Sequence, residues 1–283
     1  MDWALYQSEE QELFLSIVCE GGFAMPGLGI FAWFSYPLPI SERLARIRRA
    51  GFDAVSLWWG GEEKEKAEQP GMARRLGLDI DHIHAPIDGC GELWLDNLNG
   101  EDYLKTLLAC IDDCQTHQIP TVVVHVARLS VQSPLTILGL ERVKRLTERA
   151  EKQNVRLALE NTNCIPHLDR IFEEIPSEHL GFCYDTGHER LLCPSVDCLT
   201  RYGHRLFAVH LSDNFGDGDT HLLPRDGDTD WAGVKEKLLK AKPLRYWTAE
   251  VDFDRADPRS RAYGALSADQ FLSAARERLS QLL

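Results

Sequence analysis

The sequence of 283 residues contains no apolar run near the roughly 20 residues that a membrane-spanning helix needs. It is also short of positive charge, with 31 Lys and Arg against 44 Asp and Glu and a formal net charge of -13. Such a deficit is unfavourable for binding nucleic acid or an anionic membrane surface. Carboxylates clustered around bound cations would contribute to the same excess, so the charge has two interpretations.

Several motifs are absent as well. The eight cysteines form no Cys-x-x-Cys pair and no regular framework, which favours a reduced cytoplasmic protein over a disulfide-stapled secreted one. Neither Gly-x-Gly-x-x-Gly nor Gly-x-x-x-x-Gly-Lys-Ser/Thr follows the first predicted strand, so no nucleotide-binding loop is indicated. No basic segment precedes the apolar stretch 13–19, as a secretory signal would require, and residues 1–26 are predicted to be a short N-terminal extension.

From residue 27 onwards, short β-branched or aromatic runs alternate with amphipathic segments, and no Ser/Gly-rich linker separates them. The predicted strands are 28–34, 53–59, 78–84, 121–127, 155–160, 180–185, 205–211 and 245–251. The predicted helices are about 41–50, 64–76, 101–117, 136–153, 166–175, 189–203, 231–240 and 267–282. Eight βα units over 27–283 match the roughly 250 residues of a (β/α)8 TIM barrel, so we expect one α/β domain. A doubly wound open sheet is the alternative fold.

Ionisable side chains recur at the carboxyl ends of the predicted strands, one strand after another. They are His84, His125, Glu160, Asp185, His210 and Glu250. Parallel barrel strands end on one rim, so these groups should converge, and clustered carboxylates repel unless a cation lies between them. Any one of them could simply cap a helix or bond to backbone. Six in register instead predict a divalent cation, and mixed His nitrogen and carboxylate oxygen donors suit Zn, Mn, Co or Fe.

These residues stand in short segments whose order resembles the xylose isomerase-like TIM barrel superfamily. That superfamily contains sugar isomerases and epimerases together with the endonuclease IV type of apurinic endonuclease. The segments are His-Ala-Pro from His84, Glu-Asn-Thr from Glu160, Asp-Thr-Gly-His from Asp185, His-Leu-Ser-Asp from His210, His-Leu-Leu-Pro from His221 running to Asp230 and Trp231, and Ala-Glu ending at Glu250. The likeness covers essentially 27–283.

The resemblance implies roles for particular residues. Glu160, Asp185, His210 and Glu250 take the places of the family's metal ligands, and His188 takes that of a residue contacting substrate or a further metal. The cation would polarise a carbonyl group of an open-chain sugar, and Glu160 and Glu250 would shuttle a proton through an enediolate. Simple positioning is the alternative role for the two glutamates.

Two enzyme classes compete on this ligand set. Endonuclease IV-like proteins bind three zinc ions, and His84, His125, His188, Asp219 and His221 offer candidates for the additional places. The acidic loops near the mouth oppose phosphodiester hydrolysis of abasic DNA, because such an enzyme needs clustered Lys and Arg. We therefore expect a metal-dependent isomerase or epimerase acting on a sugar or related polyol ketone. A dehydratase with the same enolate chemistry and a metal-stabilised binding barrel stay open.

Two further side chains are candidates for substrate binding. Trp58, or its neighbour Trp59, could form an aromatic wall beside the polar cluster, although packing in the core is the alternative. Arg225 could bind a substrate carboxylate or phosphate, or pair with Asp226 or Asp228, and pairing is slightly favoured. The expected partner is a small sugar-like molecule, with nucleic acid and membrane disfavoured and a homo-oligomer left open.

Overall fold

The computed structural model describes residues 25–60, 66–129 and 133–283. Within these residues eight parallel strands form a closed barrel, in which each strand pairs with the next and the last pairs with the first. The strands are β1 (Gly27–Phe31), β2 (Ala54–Trp58), β3 (Asp79–His84), β4 (Thr121–Val124), β5 (Arg156–Glu160), β6 (Leu180–Asp185), β7 (Leu206–Leu211) and β8 (Tyr246–Ala249). The predicted TIM barrel is confirmed, while most of the predicted extension, residues 1–24, lies outside the described residues.

Helices connect the strands around the outside of the barrel. They are α1 (Ile40–Ala50), α2 (Gln69–Arg75), α3 (Leu98–Thr116), α4 (Ile137–Gln153), α5 (Ile165–Glu174), α6 (Thr186–Leu192), α7 (Cys198–Tyr202), α8 (Trp231–Lys240) and α9 (Ala268–Ser280). No helix in the described part of the chain is both long enough and apolar enough to span a bilayer.

The predicted helix 189–203 is wrong as a single element. It is two helices, α6 and α7, and the side chain of Asp197 accepts a hydrogen bond from the Thr200 N–H to begin the second. The predicted helix 64–76 begins, among the described residues, with a 3-10 turn at Lys66–Glu68 before α2. Its first two residues lie outside the described residues.

Several small side chains lie inside the barrel. Ala158, Cys183 and Ala208 form part of a buried cluster within it. The apolar residues on the outer faces of the strands pack against the helices in the main core. The register brings Asp185 opposite His210, so two rim residues lie on neighbouring strands at the same level.

A β-bulge interrupts the pairing of β2 with β3. Val55 pairs with Ile80 and the next residue, Ser56, pairs with His82, which leaves Asp81 without a partner on β2. A bulge of this kind redirects a side chain and often occurs beside a functional site. Here it allows two consecutive residues, Asp81 and His82, to be buried and to contact each other through their side chains.

Candidate metal centre

Glu160 lies at the centre of the polar cluster, at the end of β5, and its side chain is fully buried. Its Oε1 lies 3.0 Å from His188 Nδ1 and 3.2 Å from His210 Nδ1. Its Oε2 lies 3.2 Å from His84 Nε2 and 3.0 Å from His125 Nε2. One carboxylate therefore faces four imidazole rings from four different segments of the barrel.

A first group of donors consists of Glu160, Asp185, His210 and Glu250, whose ligand atoms all lie within 4.8 Å of one another. His210 Nδ1 is 2.7 Å from Glu250 Oε2 and 3.9 Å from Asp185 Oδ2. Asp185 Oδ2 is buried and makes no hydrogen bond with the described residues, and Glu250 Oε2 has His210 Nδ1 as its close partner there. A buried carboxylate oxygen without a partner is costly, and a divalent cation among these four residues would satisfy it.

The backbone fixes the position of this first group. Asp185 ends β6 and begins α6, where its Oδ1 accepts the His188 N–H at 2.6 Å, so its other oxygen is turned towards the cluster. Glu250 directly follows β8, and its N–H donates to the Leu211 carbonyl at 3.3 Å. The regular strand ends therefore hold the carboxylates in place before any ligand arrives.

A second group consists of His84, His125 and Glu160, again with ligand atoms within 4.8 Å of one another. His84 Nδ1 is 2.8 Å from the Ala85 carbonyl, which can only accept, so Nδ1 carries the proton. In the neutral ring Nε2 is then unprotonated, and its lone pair faces Glu160 Oε2. That arrangement is repulsive unless a cation or a proton lies between the two atoms.

A third group, in the loop after β7, joins the cluster through His188. His188 Nε2 and His221 Nε2 lie 3.4 and 3.3 Å from the same oxygen, Asp219 Oδ2. His221 Nδ1 lies 3.2 Å from the Glu250 carbonyl, which fixes the orientation of the ring. His221 has a φ of 44°, in the left-handed region that non-glycine residues rarely occupy.

The buried carboxylates of the cluster shift the pKa values of the groups around them. Burial raises the pKa of Asp185 to about 6, and the charges of Glu160 and Glu250 add to the effect. Burial alone would lower the pKa of His210, but Cys183, Glu250 and Glu160 raise it well above its usual value. In the protein without metal, protons therefore occupy places that cations would take, and the donor set fits a cation.

Aromatic rings form one side of the rim. The indole of Trp58, at the end of β2, is half-buried and stacks on His84, with ring centroids 5.4 Å apart and an interplanar angle of 22°. Phe31, at the end of β1, contacts His84 and His210 edge-on. Trp59 points elsewhere, because its Nε1 donates to Asp113 on α3 at 2.7 Å. Of the two tryptophans, Trp58 therefore faces the cluster.

Arg225 is directed away from the cluster. Its guanidinium donates to the side chain and carbonyl oxygens of Gln281, just beyond α9, at 3.1 and 3.2 Å. The pairing with Asp226 or Asp228 favoured from the sequence is wrong. Asp226 pairs with Arg278 at 2.9 Å and Asp228 with Arg190 at 3.2 Å, because these arginines reach the loop from other elements.

Sequence reasoning missed two buried polar residues beneath the first group, Asp81 and His82. His82 Nε2 lies 2.9 Å from His210 Nε2, and His82 Nδ1 lies 3.1 Å from Asp81 Oδ2. The alternation of β3 contained a signal, since His82 has the same parity as His84 and should share its face. The contact between the adjacent Asp81 and His82 depends on the bulge and had no signal in the sequence.

A family model described as xylose isomerase-like TIM barrel matches residues 44–270, and the chain belongs to that family. Among curated proteins, the uncharacterized protein y4fM of Sinorhizobium fredii (strain NBRC 101917 / NGR234) is 33% identical over 140 residues. That match spans 45% of each protein, less than half of the relative's length.

Solved structures with the same fold align over most of the chain. An L-ribulose 3-epimerase is 18% identical with a TM-score of 0.68, covering 92% of this chain and 95% of its own. D-psicose 3-epimerase with D-tagatose, from Clostridium cellulolyticum H10, is 12% identical with a TM-score of 0.71, covering 90% and 98%. The IolI protein with a zinc atom bound is 14% identical with a TM-score of 0.70, covering 90% and 97%.

Proposed function

We propose that this protein is a divalent-metal-dependent isomerase or epimerase of a sugar or related polyol ketone. The observation that carries the proposal is the first group, in which Glu160, Asp185, His210 and Glu250 converge and the buried Asp185 Oδ2 has no hydrogen bond with the described residues. Sugar 3-epimerases and a zinc-containing IolI protein share the fold, which supports this reaction class over others. The nitrogen and oxygen donors suit Mn, Zn, Co or Fe.

When bound, the cation would supply Lewis acidity, which polarises a substrate carbonyl and makes the adjacent C–H acidic. Glu160 and Glu250 are then placed to move that proton, one removing it and the other returning it through an enediolate. Glu250 is the more accessible, with 16% of its side chain exposed against 1% for Glu160. In the protein without metal, burial raises the pKa of Glu250, but protonated His210, whose Nδ1 lies 2.7 Å from Glu250 Oε2, outweighs this effect and lowers the pKa to about 2.

The rim residues select the substrate. Trp58 and Phe31 present apolar ring surface beside the polar cluster, an arrangement that suits the C–H face of a polyol. His188 faces Oε1 of Glu160 while His84 faces Oε2, and we propose that His188 donates to a substrate hydroxyl. Arg225 is occupied by Gln281, so the described rim offers no guanidinium from that loop to bind a phosphate. We therefore propose a small, weakly charged substrate.

A dehydratase would begin with the same proton removal but then expel a hydroxyl group as water. We rank it second within the enolate chemistry, because the same carboxylates could carry out its first step.

A second candidate function is hydrolysis of a phosphate ester by three cations, and two observations favour it. His84 and His125 face Glu160 Oε2, whereas His210 of the first group faces Oε1, and Asp219 contacts both His188 and His221. Together with the first group these supply donors for a multinuclear site of the kind that cleaves phosphodiesters. The net charge of -13 opposes a nucleic-acid substrate.

Two further proposals concern the domain boundaries and the cellular compartment of the protein. We propose that residues 27–283 form one TIM barrel domain and that the protein works in a reducing compartment such as the cytoplasm. All seven described cysteines are free and buried, which supports the second statement.

The deciding experiment combines metal analysis with solvent exchange. Purified protein is analysed for bound metal and then incubated in deuterated water with a panel of ketoses and inositol-like ketones. We expect a bound divalent cation and deuterium incorporated next to the carbonyl group of one substrate, with Glu250→Gln abolishing exchange and Glu236→Gln, on the exposed face of α8, leaving it unchanged. Cleavage of abasic-site DNA without any deuterium exchange into the ketones would favour the phosphodiester hydrolase function instead.

A further inference from the structure

A chain of buried polar side chains runs from the first donor group into the barrel interior. It begins at His210, whose Nδ1 faces Glu160 and Glu250, and continues from His210 Nε2 to His82 Nε2 at 2.9 Å. His82 Nδ1 then lies 3.1 Å from Asp81 Oδ2, which also accepts a hydrogen bond from Thr248 Oγ1 at 2.7 Å. Both His210 and His82 are fully buried, and their ring centroids lie 5.0 Å apart.

The hydrogen-bonding capacities in this chain fix where its protons lie. The Asp81 carboxylate can only accept, so His82 Nδ1 donates to it. In the neutral ring His82 Nε2 is then an acceptor, and the atom that faces it, His210 Nε2, carries the proton. When the His210 ring is neutral, as a metal ligand must be, Nδ1 is left with a lone pair that faces the three carboxylates of the first group. That tautomer is the one a metal ligand needs, and an outer hydrogen bond commonly fixes it.

We propose that Asp81 and His82 are positioning residues that hold His210 in the tautomer and orientation needed to bind the cation. This inference rests on the proposed function, because it concerns the same metal centre. The relay has two members beyond the ligand, a histidine and then a carboxylate, in place of a single acceptor. The β2–β3 bulge makes this possible, because it lets consecutive residues of β3 form successive links.

A purely structural role does not account for these two residues. The barrel interior contains apolar side chains such as Val123, Ala158 and Ala208, and burying an acid and an imidazole there costs free energy that apolar residues would avoid. Ser56, registered opposite His82, is also buried, but its Oγ makes no hydrogen bond with any residue that the structure describes. The polar contacts therefore run selectively towards His210 and Thr248.

Four variants test the inference by titration of the apo-protein with Zn²⁺ or Mn²⁺. His82→Leu removes the acceptor while keeping an apolar side chain of similar size, and should weaken cation binding about 10- to 100-fold, the usual range for losing an outer partner of a ligand. Asp81→Asn leaves a weaker acceptor and should weaken it about tenfold. His82→Gln retains a carbonyl acceptor for His210 and should stay close to wild type. Ser56→Ala is the matched control and should bind like wild type.

A second readout reports the tautomer directly. In ¹⁵N-labelled apo-protein and Zn²⁺-loaded protein, the ring nitrogens of His210 distinguish a protonated Nε2 from a protonated Nδ1. We expect the proton on Nε2 in the loaded wild type and in His82→Gln. Unfolding midpoints of the apo-proteins separate this effect from general destabilisation, because cation affinity should fall in His82→Leu even where the midpoint does not.

The outcomes separate this inference from the proposed function. If wild type binds no divalent cation, both are overturned. If wild type binds but His82→Leu and Asp81→Asn bind equally well, the positioning role fails and the metal-dependent function survives. Equal losses in His82→Gln and His82→Leu would also overturn it, since the acceptor would then be irrelevant. If His82→Leu does not fold, the comparison of Asp81→Asn with His82→Gln decides.

Discussion

Replacing Glu160 with Gln is the sharpest test of the metal centre, because this side chain links the first two donor groups. The substitution keeps the shape and removes one charge from a fully buried position. His84, His125, His188 and His210 all lie within 3.2 Å of its two oxygens. The glutamine amide would present N–H donors to one pair of rings and would carry no charge to attract a cation. The main effect of the substitution should therefore be a loss of cation affinity.

The expected size follows from burial. Removing one partner of a fully buried charge pair costs about 3–5 kcal/mol. If the same free energy is lost from cation binding, the dissociation constant of the cation rises about 150- to about 5,000-fold. At a cation concentration about 1,000 times the wild-type constant, wild type gains about 4.1 kcal/mol of stability and the variant at most about 1.2 kcal/mol. At about 2–4 °C per kcal/mol, the wild-type midpoint should rise by about 8–16 °C and that of Glu160→Gln by less than about 5 °C.

Thermal unfolding with and without Mn²⁺ or Zn²⁺ measures this difference. Glu236→Gln, which loses only a surface pair with Lys240, should keep the full wild-type increase. A Glu160→Gln midpoint that rises as far as that of wild type would refute the reasoning, because the bridging carboxylate would then carry none of the cation affinity. A wild-type midpoint that does not respond to any divalent cation would refute the metal centre as a whole.

Three further predictions follow from the same contacts. Cation binding should release protons and should strengthen as pH rises through about 6, because burial raises the pKa of Asp185 to about 6 and a protonated Asp185 must lose its proton before it can bind a cation. Calorimetry in buffers of different ionisation enthalpy measures the number of protons released. A cation affinity that does not change with pH would contradict the prediction. Trp58→Ala should raise KM several-fold with little change in kcat, measured against the exposed control Leu239→Ala; a loss confined to kcat would argue against a binding wall. Arg225→Ala should change kcat/KM less than about twofold and stability by about 0.5 kcal/mol or less, whereas a tenfold loss of activity would place Arg225 in the site.

The barrel could be predicted from the sequence because its signals are local and repeated. Each strand is a short β-branched or aromatic run, and each of the eight occurs where it was expected. The helix predicted at 189–203 was wrong because its apolar spacing was read across Pro194, although a proline there is a signal that breaks a helix, and the Asp197 cap begins a new helix beyond it. Strand ends were less exact: β8 stops at Ala249 and β4 at Val124, so Glu250 and His125 follow their strands directly.

The convergence of the candidate donors on one rim was predictable, but their connections and the buried pair Asp81 and His82 were not. Parallel strands end on one rim, so the ionisable residues at strand ends had to converge. The spacing could not reveal that Glu160 is shared between donor groups, because that depends on which way each side chain turns. Arg225 shows the same limit, since its partner Gln281 is 56 residues away along the chain and is brought close only by the closed barrel.

Because the donor groups share Glu160, the number of bound cations sets the net charge of the site, and this charge determines which substrate charge the site accepts. Besides Glu160, the three donor groups contain the carboxylates of Asp185, Glu250 and Asp219. With neutral imidazoles, one divalent cation leaves two formal negative charges among these side chains, whereas three cations leave two positive ones. The first state repels a phosphate and accepts a neutral polyol, and the second attracts a phosphodiester. A measured stoichiometry of one cation per chain would therefore support the isomerase or epimerase on electrostatic grounds, and three would support the hydrolase, before any substrate is known.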